Sequence, residues 1–508
     1  MPLAHVYSSA LVGIEAIAID VEVDNKASDK SQIILVGLPD LAVKESKDRV
    51  LAALRNSGFA LSNVSCTINL APAALKKEGA FYDLPIALGI LQATGQLGSA
   101  DLGNYLCIGE LSLSGSTRAI RGALAAGQLA RQLGKKGIIL PKANAHELRA
   151  LPLTVIGVDT IAEACKFLKN PALYPKEAIS AESQENPYQP PEVDLQEIKG
   201  QAHVKRALEI AAAGNHNILL YGPPGTGKTM LAKALGGILP SLSVEEALEV
   251  TTIFSVAGLL PPKISSIRTR PFRSPHHTIS TIGLVGGGSS LRPGELSLAH
   301  NGVLFLDELP EFTRTTLEAL RQPLENGKVT IARATGTATF PTRCLFIAAM
   351  NPCPCGHLGH PQKPCSDTAL QIQRYRSKIS GPLLERIDMQ VEVPVVPFQE
   401  IQQSLAAETS RDVQSRVIAA RKLQQGRLGP GRTNSTMRQS ELAHCATLDT
   451  ASQRFIGQAM QSLGLSMRSY NRILKVSRTI ADLAASPSIT QEHLLEALSF
   501  RGLDTKSN

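Results

Sequence analysis

No stretch of eighteen consecutive apolar residues occurs in this 508-residue chain, so no ordinary membrane-spanning helix is expected. The N-terminus also lacks the basic segment of a secretory signal. Glu15, Asp20, Glu22 and Asp24 fall within it instead, and the expected location is the cytoplasm. Eight cysteines fit a reducing compartment, and four of them, Cys344, Cys353, Cys355 and Cys365, crowd into one stretch. With 43% hydrophobic and 19% charged residues, the composition is that of a soluble globular protein. The length exceeds one ordinary core and implies about two to four domains. A net charge of +8 and a pI near 9.0 suit a polyanionic partner, although the excess is spread over a large surface.

The most specific pattern present is Gly222-Pro223-Pro224-Gly225-Thr226-Gly227-Lys228-Thr229. It follows the apolar run Ile218–Tyr221 and opens a helical stretch at Met230-Leu231-Ala232. A buried strand, a glycine-rich turn and a helix beginning Lys-Thr form a phosphate-binding P-loop. Its backbone N–H groups cradle phosphate, Lys228 reaches the β/γ oxygens, and Thr229 ligates Mg²⁺. Residues 222–230 are therefore the nucleotide-binding candidates, with ATP and Mg²⁺ as the expected ligands.

Downstream, Val303-Leu304-Phe305-Leu306 reads as a buried strand that delivers Asp307 and Glu308 together at its end, as a Walker B motif requires. Asp307 is assigned to the metal and Glu308 to the attacking water. A second buried strand, Leu345–Met350, ends in Asn351, the position of a sensor for the γ-phosphate. Between them, Gly327–Phe340 alternates around a glycine turn and predicts a β-hairpin.

Residues 1–170 alternate strand-like and helical runs and form a separate α/β domain. Within it, Lys77-Glu78-Gly79-Ala80-Phe81-Tyr82-Asp83-Leu84-Pro85 and Gly109-Glu110-Leu111-Ser112-Leu113-Ser114-Gly115 resemble the Lon-protease-like head of the YifB/ComM branch of the magnesium-chelatase group. A Lon peptidase needs a Ser nucleophile beside a Lys base. This chain has Tyr82-Asp83-Leu84 where the nucleophile would fall and no Lys between Ala119 and Gly134, so a catalytically silent scaffold or collar is expected. Prolines at 171, 175, 187, 190 and 191 mark a linker over 171–193.

The remainder resembles the same family's AAA+ ATPase core, 194–398, and helical lid, 399–508. The fold class is thus multidomain α/β: a Lon-like head, a P-loop core with a parallel sheet, and a C-terminal helical lid. The resemblance implies that Ile198 and Gly200 lie near the adenine, unless their segment is an ordinary helix lead-in. It implies that Arg386, in Ser380–Asp388, is an arginine finger completing a neighbouring subunit's site; a salt bridge within one subunit is the alternative. It also implies that Arg468, with Arg472 as runner-up, senses nucleotide from the lid.

Residues 250–297 read as a long irregular insertion. Lys263, Arg268, Arg270 and Arg273 there, with Lys328 and Arg333 of the hairpin, are candidate DNA contacts; a solvated basic loop is the alternative. His276 and His277 are assigned to a polar loop in preference to a metal site. Arg416, Arg421, Lys422, Arg427 and Arg432 read as a solvated helix face before a DNA surface. Cys353, Cys355 and Cys365, with His357, His360 or Asp367 as a fourth ligand, suit structural Zn²⁺; the alternative is a reduced cysteine-rich loop, and the family pattern has a further cysteine where this chain has Asp367.

As a whole the resemblance implies an ATPase working as a hexameric ring assembled with nucleotide or DNA. It would be a helicase or translocase on single-stranded and branched DNA that drives branch migration of donor DNA in natural transformation, alongside recombination proteins and away from membranes. A magnesium-chelatase-type metal-insertion motor and an AAA+ protein unfoldase are the alternatives.

Overall fold

The computed structural model describes residues 3–27, 32–61, 64–75, 77, 79, 81–173, 192–288, 291–333, 336–397 and 408–503. Most of the linker read at 171–193, the start of the lid at 399–407, and the loop tips 289–290 and 334–335 lie outside the described residues.

The first sheet comprises β1 (Ala4–Val12), β2 (Glu15–Ala27), β3 (Gln32–Val36), β4 (Val64–Ala71), β5 (Tyr105–Cys107), β8 (Gly137–Pro141) and β9 (Thr154–Val158), in the order β3-β4-β2-β1-β5-β8-β9. A separate small ribbon joins β6 (Glu110–Leu111) to β7 (Thr117–Arg118). β1 and β2 pair antiparallel from Ala4↔Val23 to Val12↔Glu15 around a two-residue turn, which Gly13 permits by adopting φ +66°. Sequence periodicity identifies β2, β3, β4 and β8, but not β1, whose His5, Ser8 and Ser9 dilute the apolar alternation.

Helices α1 (Leu41–Asn56), α2 (Asp83–Ala93), α3 (Ala123–Gln132), α4 (Lys142–Ala145) and α5 (Ile161–Lys169) connect these strands. α2 is buried along almost its whole length. At its start, Asp83 accepts hydrogen bonds from Arg49 Nε at 2.9 Å and Leu111 N at 3.2 Å, and from Ser46. The place of the Lon nucleophile thus holds a buried structural carboxylate.

The second sheet is all parallel, in the order β11 (Phe272–Arg273), β14 (Val303–Leu306), β17 (Leu345–Met350), β10 (Ile218–Tyr221), β18 (Met389–Glu392). Every residue of β10, β14 and β17 is buried, as parallel strands covered on both faces require. α6 (Ala202–Gly214) and α7 (Lys228–Ile238) pack against it. The stretch after α7 is less irregular than its composition suggests. α8 (Val244–Ala257) takes its start from the capping box of Ser243 and Glu246 and its end from Gly258 at φ +72°. The short ribbon β12 (Gly286–Gly287) and β13 (Arg292–Pro293) follows, and β15 (Lys328–Arg333) with β16 (Gly336–Pro341) forms the expected hairpin.

C-terminal helices spanning Ser410–Leu428, Gln439–Cys445, Thr450–Leu463, Met467–Leu483 and Gln491–Ser499 share one apolar core with the second sheet and α6. Of the basic residues on and just after the first, the arginines are held within the fold, whereas Lys422 is exposed as a solvated face requires. Arg416 pairs with Glu209 at 2.5 Å, Arg421 donates to Ala212 O at 2.6 Å, Arg427 pairs with Asp482 at 2.6 Å, and Arg432 with Glu441 at 2.6 Å. Burial pushes the Arg421 guanidinium down to about 9. These arginines join helix to core.

The N-terminal sheet docks onto the second unit at two places. Gly122 N donates to Ser255 O at 3.0 Å, Ser255 Oγ to Glu147 at 2.5 Å, and Gln128 Nε2 to Thr252 Oγ1 at 3.2 Å, all on α8. The β1–β2 turn meets the hairpin. Ile14 packs with Val329, Ala338 and Phe340, and a Cβ at Gly13 would stand 3.0 Å from Thr339 O.

α8 is fixed on its other side by Glu249, which accepts from His300 Nε2 and Asn301 Nδ2 at 3.0 Å each and from Arg343 at 3.1 Å. His300 Nδ1 accepts from Arg343 N at 3.1 Å, so Nε2 carries the proton of a neutral ring, and burial holds the pKa of His300 below its usual value. The His300 hydrogen bond, then those of Asn301 and the Arg343 charge, outweigh burial and hold the Glu249 carboxyl down to about 2. A depressed folded pKa contributes stability above the unfolded value and loses it as pH falls through the folded one. Calorimetric melting between pH 4.5 and about 2 should therefore show a thermal midpoint falling less steeply in Glu249→Gln than in the parent chain, and parallel curves would refute the contribution.

Candidate active site

The position of β10 builds the site. It lies between β17 and β18 in parallel register, Ile218 opposite Ile347 and Met389, so the P-loop leaves the carboxyl edge of the sheet with strands on both sides. This is the crevice where open α/β sheets bind ligands. Gly225 and Gly227 adopt φ +76° and +85°, and a Cβ at either would meet nothing within 4 Å, which leaves the loop open to a phosphate chain. Gly222 is closed on its other side: a Cβ there would collide with Val393 O at 2.1 Å.

Lys228 is buried and uses all three ammonium donors, to Gly222 O and Pro223 O at 2.8 Å and Asn351 Oδ1 at 3.2 Å. Burial lowers its pKa, against the Asp307 charge. Thr229 Oγ1 donates to Asp307 Oδ2 at 2.8 Å. This hydroxyl–carboxylate pair is a hard oxygen donor set of the kind Mg²⁺ takes. Glu308 follows in the left-handed region at φ +51°, a costly backbone for a non-glycine residue, and its N–H donates to Asp307 Oδ1 at 2.9 Å. Asn351 ends β17, the strand between β10 and β14, and so stands between Lys228 and the acidic pair. The structure thus brings Lys228, Thr229, Asp307, Glu308 and Asn351 to one edge.

Ile198 belongs to the core beneath this edge and is buried, and Gly200 adopts φ +62° next to Gln201. Gln201 itself escapes the sequence reading, yet its Nε2 donates to Thr226 O at 2.8 Å within the P-loop. Thr226 is buried and donates to Pro223 O at 3.0 Å, while Pro224 and, in the first turn of α7, Met230 are exposed. His277 also gains a role. Its Nδ1 stands 3.3 Å from Glu308 Oε2, with the His276 ring tilted against it, centroids 4.0 Å apart, and Phe312 at its edge. No sequence spacing connects His277 to Glu308; the parallel pairing of β11 with β14 does.

The arginines are elsewhere. Asn217, Gly302, Cys344 and Asp388 immediately precede β10, β14, β17 and β18, and together they line a cleft at the amino edge of the sheet. Arg386, Arg468 and Arg472 line the same cleft. Arg386 is held by Glu325 and donates to Arg321 O at 3.0 Å, and Arg468 pairs with neighbouring Glu385 at 3.0 Å. A four-residue strand separates the two edges by about 13 Å. The C-terminal helix Met467–Leu483 thus carries Arg468 to the edge of Arg386, away from the chain's own P-loop. Arg472, the runner-up, pairs with buried Asp388. Burial pushes that carboxyl up, but the Arg472 charge, His216 and the Asn217 N–H outweigh it and hold it far below its usual range.

The basic insertion is partly spent. Arg270 is nearly buried, pairs with Glu246 at 2.9 Å and donates to Asn301 O at 2.5 Å; Arg273 is held bidentate by Glu295 at 2.6 and 2.7 Å. Both leave the set of DNA contacts, because a local carboxylate already neutralises each. Lys263, Arg268, Lys328 and Arg333 are exposed. Cys353, Cys355 and Cys365 converge beyond Asn351, whereas Cys344 lies buried at the other end of β17.

Three family models match the chain: "Magnesium chelatase, subunit ChlI" over residues 194–401, "Subunit ChlI of Mg-chelatase" over 21–144, and "Magnesium chelatase, subunit ChlI C-terminal" over 407–501. Competence protein ComM of Haemophilus influenzae is 44% identical, covering 99% of this chain and 98% of its own. The chain belongs to the YifB/ComM family. Uncharacterized protein YifB of Escherichia coli is 42% identical over the same shares of the two chains, and an uncharacterized protein of Mycobacterium tuberculosis is 39% identical over 99% of each. The YifB/ComM chain is accordingly a magnesium-chelatase-like AAA+ protein, of a kind that uses ATP and Mg²⁺, and no helix among the described residues is long and apolar enough to cross a membrane.

Two substitutions separate binding from chemistry. Lys228→Ala is expected to abolish retention of a fluorescent ATP analogue. Glu308→Gln should retain the analogue while hydrolysis falls about 10²–10⁴-fold, the usual contribution of a positioned base. His277→Ala should leave analogue affinity unchanged while shifting the turnover rate, and an unaltered rate would remove His277 from the site.

Proposed function

We propose that the protein is an ATP-driven DNA motor working as a ring, a translocase on single-stranded and branched DNA that drives branch migration while donor DNA is integrated in natural transformation. The observation that carries this reading is the division of the site between the two edges of one sheet. Lys228, Thr229, Asp307, Glu308 and Asn351 meet at the carboxyl edge, and Arg386 and Arg468 lie at the amino edge. Arg386 and Arg468 therefore act on a phosphoryl group held by the next copy. A head-to-tail contact of that kind closes into a ring, and a hexamer is the size the family implies.

Each residue then has a defined task. Lys228 leaves the loop carbonyls for the β/γ oxygens of ATP. Bound Mg²⁺ supplies charge neutralisation on those oxygens, and Thr229 and Asp307 are the residues that would hold it. Glu308 orients the attacking water, Asn351 senses the γ-phosphate, and Arg386 and Arg468 stabilise charge across the boundary. Leaving Glu325 and Glu385 is the cost of docking for these arginines, recovered when the neighbour's nucleotide takes the place of the carboxylates.

Two structural features support DNA as the track. The β12–β13 ribbon and the β15–β16 hairpin lie side by side, Ile331 packing over Gly286 and Gly287. Lys328 and Arg333 on the hairpin and Lys263 and Arg268 on the insertion supply exposed positive charge for a phosphate backbone. The same insertion carries His277 to Glu308, so a displacement of the loops by DNA reaches the residue that orients water. Identity of 44% along the whole chain to a protein named for competence supports the DNA assignment over metal insertion or protein unfolding.

The decisive experiment mixes Lys228→Ala with Arg386→Ala subunits and follows ATPase and branched-DNA unwinding. Mixed rings should recover activity that neither variant has alone, with stimulation by DNA weakening steeply as salt rises. Absence of recovery overturns the shared site; hydrolysis without DNA stimulation or strand displacement overturns the motor reading.

A further inference from the structure

The sixteen residues from Pro352 to Asp367 contain no helix or strand, yet they connect Asn351 to a helix at Ala369–Arg376. A loop of this length inside a compact unit needs something to hold its shape. Three sulfurs meet within it: Cys353 to Cys355 at 3.4 Å, Cys355 to Cys365 at 3.5 Å, and Cys353 to Cys365 at 3.6 Å. Disulfide sulfurs stand about 2.05 Å apart, so these thiols are not bonded to one another. Tetrahedral zinc with Zn–S bonds of about 2.3 Å sets its sulfurs about 3.8 Å apart, close to the observed triangle.

The fourth corner is Asp367. Its Oδ2 accepts from Cys355 N at 2.8 Å and lies 3.8 Å from Cys365 Sγ, and the four ligand atoms all fall within 4.8 Å of one another. The histidines stay outside this cluster. His360 Nδ1 accepts from Gln362 N and Lys363 N at 3.0 and 3.1 Å, and His357 faces His360 edge to face. A backbone donor also meets the cluster, Leu358 N donating to Cys353 Sγ at 3.4 Å. Such outer contacts hold ligands in place around a metal.

We propose that Cys353, Cys355, Cys365 and Asp367 bind one Zn²⁺, and that this ion seats the loop against the nucleotide site. The second part follows from two neighbours of the cluster. Asn351 precedes Cys353 by two residues. Gly356, at φ +80°, packs so closely on the P-loop that a Cβ there would stand 2.7 Å from Pro224 Cδ. The metal thus braces the sensor and the phosphate loop from one point. Chemically, Zn²⁺ suits three soft thiolates and one carboxylate with no open position, a structural and not a catalytic set.

The test is metal analysis of the full chain purified without chelator, with Co²⁺ substitution as a spectroscopic probe. About one zinc per chain and a thiolate-to-cobalt charge-transfer band are expected. Cys355→Ser and Asp367→Ala should each weaken zinc retention by about 10–100-fold, and Asp367→Cys should preserve it. Stripping zinc should weaken binding of a fluorescent ADP analogue by about tenfold, with far-ultraviolet circular dichroism unchanged. A metal-free chain that takes up neither Zn²⁺ nor Co²⁺, or zinc retained undiminished in both weakening variants, would overturn the site. Unchanged ADP affinity in folded, stripped protein would overturn its link to the P-loop. Metal content and the cobalt spectrum are read without nucleotide or DNA, so they stand apart from the motor reading.

Discussion

The parallel seating of β10 between β17 and β18 is the constraint on which the rest depends. Each strand is apolar along its length because both faces of the sheet are covered, and in that environment every backbone donor must find a carbonyl on a neighbouring strand. Register then ceases to be free. Once Tyr221 pairs with Met350 and Glu392, the P-loop, Asn351 and the acidic pair are committed to one edge, and the residues preceding each strand to the other. The distance between Lys228 and Arg386 is a property of the sheet, not of either loop.

The second organising element is α8. Its capping box and left-handed glycine end define a helix that faces the N-terminal domain through Thr252 and Ser255 and the core through Glu249. Together with Ile14 under the hairpin, this contact docks the N-terminal unit against α8 and the hairpin. Where a peptidase nucleophile would stand, Asp83 is fully buried and paired with the partly buried Arg49 at 2.9 Å, so the position presents no accessible nucleophile.

Charge illustrates how composition misleads. Arg270, Arg273, Arg416, Arg421, Arg427 and Arg432 all read as solvent or DNA contacts in a basic chain, and each is engaged with a carboxylate or a carbonyl within the fold. Their partners lie up to hundreds of residues away, as with Arg416 and Glu209, so no local pattern reveals them. Lys263, Lys328 and Arg333 look no different in sequence and are exposed. Net charge describes the whole surface, whereas a binding face depends on which charges the fold leaves uncompensated.

The sequence by itself determined the chemistry of the nucleotide edge, because a P-loop and a strand-borne Asp-Glu pair are local: the residues that act are those that shape the turn. It also determined most strands, the hairpin and the family. The tertiary structure alone decided which edge each arginine occupies, that His277 meets Glu308, that Gln201 touches the P-loop, and that Asp367 rather than a histidine completes the cysteine triangle. These are contacts between segments distant in the chain. They exist only when strand order and helix docking bring those segments together, and periodicity carries no record of that order.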